Sequence, residues 1–496
     1  MSPVAYLLPQ KYIVPKIPQH LVFRKRRLHT LPDMHPHSYV ALMKQCIKSS
    51  IILFILIGTT HASAQSLWMP EYDKFTLAND LDVILHRDTT VSLVSVHMAY
   101  RAGSSFDPAG KTGTARIAWE LLLQGSKEVP RSDVLAFRDE YNATIQAHTS
   151  VDWVAVSSTM PMNLLEAAIM IEANRMRYAD EAVKAETVDA VKEALRNVHL
   201  ERRQSELGTL TQQIYNETYA ERHPYRHMTI GMLEHLDSIG VNDVRAFIRR
   251  YYVPANASLT ISGNFDAMQA RTLVERYFST IPSGQVVRWG GIDDSYSPIG
   301  MGGFIREDNI AFNRIILVFP TVRTTHTDEP VLRLLASLLT GSPDALLNRV
   351  LLNENPLVRS VEASQSSQEL TGTFWITVTC NMDVQLQPIY EQLRRALESM
   401  ANETIPDYDL IAAKNSAAMN FYTPLEQFDG FSGRSAMLNI GNLLTTDPLF
   451  TFNQFTAMQN VSGSVLSRIA SRYLDSENQL VVSVVPFRKS SQAVTF

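Results

Sequence analysis

The sequence predicts an α+β fold of two similar domains, each a mostly antiparallel sheet packed with helices, joined by a linker. Three observations predict it. At 496 residues the chain is too long for one core at roughly 150 residues per domain. A composition of 45% hydrophobic and 19% charged residues is that of a folded globular protein. Strand and helix signals then recur in one order on both sides of residues 281–303.

Residues 1–64 stand apart from this plan. Residues 1–42 carry scattered prolines, the basic run Arg24 to Arg27 and no helical or strand period. Residues 43–64 have the layout of a secretory signal peptide: Lys44 and Lys48, then an apolar run from Ile51 to Gly58, then Ala62-Ser63-Ala64 before Gln65. That run is shorter than the about 20 residues of a membrane span. The expectation is therefore export to the periplasm or medium, with no stable membrane anchor after cleavage; a long-headed membrane anchor is the competing reading. Met43 is then the expected start, and residues 1–42 an upstream over-read.

Eight of the 45 Lys/Arg and one of the 50 Asp/Glu lie in residues 1–64, which leaves the remainder at a net charge of −12. A net acidic exported chain is a poor candidate for nucleic-acid binding. Cys46 falls in the signal and Cys380 stands alone, so neither an internal disulfide nor a Cys-based zinc site is expected.

The first domain is expected over 65–280. "FTLANDLDVILHRD" and "VSLVSVHMAYRAG" are alternating or apolar runs rich in β-branched residues and read as strands. A helix with Ile117, Leu121 and Leu122 follows, then the strand "VDWVAVSSTM". Leu165, Ala168, Ile169 and Met176 form one stripe of a long helix. The domain closes with a helix capped at Asn242 and the strand "NASLTISGNFD". The linker, 281–303, is rich in Gly, Ser, Pro and Asp. The second domain, 304–496, repeats the order: strand "NRIILVFPTV", helix "PVLRLLASLLTG", strand "GTFWITVTCNMD", helix "QPIYEQLRRALESMAN", strand "NQLVVSVVP".

"AYRAGSSFDPAGKTGTARIAWELLLQGS", "EANRMRYAD", "HPYRHMTIG" and "VRAFIRRYYVPANASLTISGNFD" resemble, in order, segments of the pitrilysin/insulysin metallopeptidases. The resemblance spans Gln65 to Phe496 and is nearest to the short bacterial members, in which two-domain halves dimerise around a chamber. In that family the first helix carries H-x-x-E-H. Two histidines one turn apart bind Zn²⁺ as neutral imidazoles, the glutamate is general base for the metal-bound water, and a later glutamate is the third ligand.

Aligned on Gly110 to Gly113, those positions hold Arg116, Trp119 and Glu120. Glu186 and Glu193 match the family's later pair of glutamates, Glu193 at the ligand position. One ligand of three survives, and Arg116 cannot be deprotonated to become another. The expectation is that no zinc is bound and that an Arg116–Glu120–Glu193 ion-pair cluster replaces the metal, with Trp119 filling the volume of water and substrate carbonyl. The resemblance also implies an Arg and a Tyr seven residues apart in the second domain; the matching positions are Leu352 and Arg359, so both are lost.

Weaker candidates remain. Arg359 offers a cation to a substrate or partner, against the ordinary reading of a paired structural charge. His148 lies near the family's peptide-binding edge strand, against that of a plain strand histidine. His223 and His227 have i,i+4 spacing, but Pro224 between them favours a structural turn. "GKTG" lacks the upstream glycine of a phosphate loop, and no nucleophile elbow is present.

The resulting expectation is an exported, non-catalytic homologue of zinc metallopeptidases. It serves as a pairing subunit or peptide-chamber wall for an active, zinc-bearing homologue, as the zinc-free halves of mitochondrial processing peptidase and the complex III core do. One rival is a metallopeptidase with a zinc site at Glu120, Glu186 and Glu193. The other is a homodimer that captures peptides.

Overall fold

The computed structural model describes residues 68–287, 302–353 and 355–495. The expected signal peptide and over-read lie outside the described residues, as does most of the expected linker.

Among the described residues, the first sheet runs β1-β2-β6-β3-β5-β4. Its strands are β1 (Asp73–Thr76), β2 (Asp82–Arg87), β3 (Leu93–Tyr100), β4 (Thr144–Thr149), β5 (Val154–Pro161) and β6 (Ala257–Gly263). The second sheet runs β7-β11-β8-β10-β9, built from β7 (Gly302–Asp308), β8 (Arg314–Thr321), β9 (Val358–Ser367), β10 (Gly372–Cys380) and β11 (Leu480–Pro486). Apart from β1 the two orders correspond strand for strand. In each, the last strand in sequence lies parallel to the first of the five, β2 with β6 and β7 with β11, while the other neighbours are antiparallel. β7 starts at Gly302, inside the stretch expected to be linker.

The helices are α1 (Thr114–Leu122), α2 (Arg131–Tyr141), α3 (Leu165–Ala182), α4 (Ala185–Gln204), α5 (Leu210–Thr218), α6 (Val241–Tyr251) and α7 (Ala267–Phe278) in the first half. In the second they are α8 (Glu329–Thr340), α9 (Leu386–Asn402), α10 (Asp407–Leu425), α11 (Arg434–Thr445), α12 (Phe450–Gln459) and α13 (Gly463–Tyr473). Strand alternation sets which face each sheet buries. Val94, Val96, Met98 and Tyr100 of β3 join α1, α3, α6 and α7 in the main core, and the expected stripe of α3 is part of it. The α6 cap is not Asn242: the helix starts at Val241, and Asp243 Oδ2 accepts from the Gly240 N–H at 2.9 Å. A carboxylate three residues in reaches back to the helix start, which an amide at the second position cannot do.

The opposite face of each sheet is covered by a helix from the other half. Leu210 and Ile214 of α5 pack with Ile316, Val318, Val482 and Val484 of the second sheet. Leu438 of α11 packs with Ile84 of the first, and Asn439 meets the other side of β3. Asn439 Nδ2 lies 2.8 Å from His97 Nδ1, 2.8 Å from His97 O and 3.0 Å from Ser258 O. Burial holds the His97 imidazole down to about 3, so it stays neutral and its Nδ1 accepts the Asn439 N–H. Both faces of the central strands are therefore buried, the second face of the first sheet carrying small polar residues, Ser95, Ser258, Thr260 and Ser262, beside His97.

Candidate functional site

The site is built around α1. The Asp107 carboxylate accepts from the Gly113 and Ala115 N–H groups at 2.7 Å each, capping the helix start. Gly113 has φ +99°, and a side chain there would press on the Ile230 carbonyl. At the other end Arg175 Nε donates to the Leu122 carbonyl at 3.0 Å. Arg175 and Glu172 are 2% and 0% exposed and pair with each other; Ser158 Oγ donates to Glu172 at 3.2 Å. Burial lifts the Asp107 carboxyl to about 7, against the two N–H donors that favour its charge.

Between these anchors Thr114, Ala115, Ile117, Ala118, Leu121 and Leu122 are buried. Arg116, Trp119 and Glu120 are the residues of α1 that keep access to solvent. With i, i+3 and i+4 spacing they form one strip. The frame that resembles a zinc peptidase therefore still presents its three chemical positions on one open face.

The occupants of that face contact one another, although Arg116 Nε and Trp119 Nε1 are buried without a hydrogen-bond partner. Arg116 Nη2 donates to Glu120 Oε1 at 2.7 Å, with the side chains 26% and 31% exposed. The guanidinium lies 4.2 Å from the Trp119 ring centroid, and Trp119 is partly buried against the main core. Glu193 is not part of the cluster. It is 65% exposed and accepts from Arg196 Nη1 at 2.6 Å, while Arg196 also binds Asp237. The reason is local: Arg196 lies three residues along the same helix, and Arg116 already has Glu120 and Trp119. The cluster is also half-solvated rather than buried.

The donor set does not fit zinc. Guanidinium and indole offer no lone pair, Glu120 is engaged by Arg116, and Glu186 and Glu193 are exposed on α4. Among the described residues no group of three or more His, Cys, Asp and Glu side chains is placed to hold a metal ion. Glu120, Glu186 and Glu193 therefore do not converge as the rival metal site requires.

The remaining candidates lie elsewhere. Leu352 sits in a single π-turn, Asn348–Asn353. Arg359 is exposed on β9, stacked over Phe312 at 4.2 Å and donating to Asn381 Oδ1 at 3.4 Å. His223 Nδ1 accepts from the Tyr225 N–H at 2.9 Å and its ring stacks on Tyr219. The His227 ring contacts its neighbour's carbonyl, at Met228 O, 3.1 Å away. His148 stands on β4, the outer strand of the first sheet, with its ring 5.2 Å from Trp153 and 5.4 Å from Phe431 of the second half. Desolvation, then the charge of Arg116, pushes its pKa down, so His148 and the α1 strip share one electrostatic neighbourhood.

Asp107, the Glu172–Arg175 pair and Phe431 escaped the reading of the sequence. Glu172 and Arg175 carried a signal, an acid and a base three apart in the helix that bears the apolar stripe. Phe431 carried none, because its contact crosses 283 positions of chain.

Comparison with known proteins bears on the whole arrangement. Residues 238–417 match the peptidase M16 inactive domain. A zinc protease from Helicobacter pylori, PqqE, is 20% identical over 88% of this chain and 97% of its own length. The crystal structure of a protease from Helicobacter pylori has a TM-score of 0.73 at 19% identity, over 84% of this chain and all of that one. The first half of the periplasmic protease PqqL from Escherichia coli gives 0.71 at 15% identity, over 86% and 95%. Likeness at this identity establishes the shared fold of two sheets packed with helices. Among the described residues no helix is long and apolar enough to cross a membrane.

Proposed function

The chain is homologous to the pitrilysin-like PqqE/PqqL zinc proteases, and from that premise we propose that it is a non-catalytic member that pairs with an active, zinc-bearing homologue. It forms one wall of a peptide chamber, in the periplasm or outside the cell. One observation carries this reading. The open strip of α1, where an active relative of this fold needs two imidazoles and a carboxylate, is closed by the Arg116–Glu120 pair and the Trp119 ring.

A wall without chemistry still binds peptide. β4 is the outer strand of its sheet, with Thr144, Gln146 and His148 exposed, and an extended peptide adds to such an edge through main-chain hydrogen bonds. Arg359, exposed on β9 and stacked over Phe312, offers a cation to peptide or partner.

The test is to purify the chain from its native host and measure bound zinc, peptide hydrolysis and co-purifying proteins. The expected result is no stoichiometric zinc, no hydrolysis by the chain alone, and a partner carrying an intact H-x-x-E-H. Stoichiometric zinc with hydrolysis would overturn the reading. A clean homodimer that binds peptide would replace the partner with a second copy.

A further inference from the structure

On α10, Tyr408, Ile411, Met419 and Tyr422 are 68%, 58%, 68% and 40% exposed. Single apolar side chains on a surface are ordinary, whereas four on one helix face mark an interaction site. At 3.6 residues per turn these four and Asn415 share an arc of about 80°. The stripe carries no charge: Lys414 is half-buried and lies off it, and Asp409 is held by Arg349 through two bonds of 2.8 Å.

The other side of the helix is fixed in place. Ala413 and Ala417 are buried, and Ser416 Oγ donates to the Gly341 carbonyl at 2.7 Å. α10 thus offers its stripe from a rigid support.

An apolar stripe alone would accept many partners; the arrangement of this one selects among them. It is nearly a palindrome about Asn415. Tyr408 and Tyr422 stand seven residues to either side, Ile411 and Met419 four, and Ala412 and Ala418 three. Asn415 itself is exposed and makes no hydrogen bond among the described residues.

We propose that α10 pairs antiparallel with α10 of a second copy of this chain, across a two-fold axis at Asn415. In a two-fold contact residue i meets j and j meets i. Here Tyr408 meets Tyr422 of the second copy, Ile411 meets Met419, and Asn415 meets itself, so like faces like at every level. The amide carries both donor and acceptor, so two copies on the axis satisfy each other, and one polar residue in an apolar seam fixes the register. Ala412 and Ala418 leave room for the helices to approach to about 8–10 Å. The stripe spans about 21 Å, short for a standard interface, so the pairing depends on concentration in the micromolar range. This inference is independent of the pairing with a zinc-bearing homologue, which rests on α1.

The test is sedimentation velocity on the purified protein from about 1 to 100 μM. Wild type is expected to show a reversible monomer–dimer equilibrium. Ile411→Lys with Met419→Lys sets like charges opposite each other and should weaken the dimer about a hundredfold. Ile411→Glu with Met419→Lys sets opposite charges there and should restore it, more strongly at low salt. All three positions of change are exposed or paired across the axis alone, so circular dichroism should match wild type. Asn415→Cys should cross-link to a covalent dimer under mild oxidation far faster than Glu426→Cys, eleven residues from the axis. Cys380 does not compete, being buried with its thiol pushed up to about 12. The proposal is overturned by a wild type that stays monomeric, by equal dimerisation of the two charge variants, or by equal cross-linking of the two cysteine variants.

Discussion

The guanidinium of Arg116 lies 4.2 Å from the ring centroid of Trp119, three residues along the same helix, and the same group donates to Glu120 at 2.7 Å. The open face of α1 is thus occupied by a cation, a ring and a carboxylate in mutual contact. Three substitutions separate this face from the family's ligand pattern, and that makes it testable.

Replacing Arg116→His, Trp119→Glu and Glu120→His together is expected to create zinc binding near one ion per chain, with Glu193 turning from Arg196 to become the third ligand. Elemental analysis after dialysis reads the result. Absence of zinc in a folded triple variant would count against the alignment of α1 with the zinc helix.

The exposed and buried ion pairs should differ sharply in worth. Arg116→Ala breaks a half-solvated pair and is expected to cost about 0.5–1 kcal/mol. Arg175→Ala strands the Glu172 carboxylate in the core and uncaps the end of α1, for about 3–5 kcal/mol. Urea denaturation of both variants measures the contrast; equal losses would show that Arg175 is not the anchor described.

Stability should depend on pH through a polar seam between the halves. Asp152 accepts from Tyr225 Oη at 2.8 Å, from Ser105 Oγ at 3.2 Å and from the Glu369 N–H at 2.9 Å, while Arg101 lies 3.3 Å from the Glu369 carboxylate. Burial raises Glu369 to about 7; Arg101 opposes the shift and Asp152 adds to it. A carboxyl raised in the folded state contributes stability that is full below its unfolded value near 4.5 and is lost as pH rises through 7. Glu369→Gln should remove on the order of 2 kcal/mol of that decline, seen as a flatter plot of urea midpoint against pH between 4.5 and 7.5. An unchanged slope would place the titration elsewhere.

His97 should act with the opposite sign. Its imidazole is held down to about 3 by burial, so its contribution is present above the ordinary value near 6.5 and is lost as pH falls from there toward 3. Asn439→Ala removes the donor to His97 Nδ1 and should cost about 1–3 kcal/mol at neutral pH. Thermal melts of Asn439→Ala at pH 7.5 and of His97→Asn between pH 7.5 and 5 test the two statements.

The exchanged helices predict cross-half coupling. Ile214→Ala on α5 should speed amide exchange in β8 and β11, and Leu438→Ala on α11 should speed it in β2 and β6, each for a loss of about 2–5 kcal/mol. Exchange confined to the mutated helix in both variants would show that the covering helices are dispensable.

Much of this was legible in the residues. Period-two runs such as "VSLVSVHMAY" and the apolar stripe of Leu165, Ala168, Ile169 and Met176 mark strands and helix because local geometry repeats every two or 3.6 residues. The strip Arg116, Trp119 and Glu120 was equally legible, since i,i+4 spacing alone puts side chains on one helix face. Glu193 was not. Its partner was decided by whether Arg196 on its own helix or Arg116 on a neighbour came nearer, and spacing within one segment says nothing of distance between segments.

The sequence by itself determined the two-sheet α+β architecture and the pairing of Arg116 with Glu120, because the strand and helix periods and the i,i+4 spacing depend on residues within a turn or two of one another. Only the tertiary structure decided that α5 and α11 cover each other's sheets, that Phe431 reaches His148, and that Asn439 meets the buried His97. These depend on burial, and burial is a property of the packed whole: a polar atom becomes costly only when helices and strands distant in the chain remove its water.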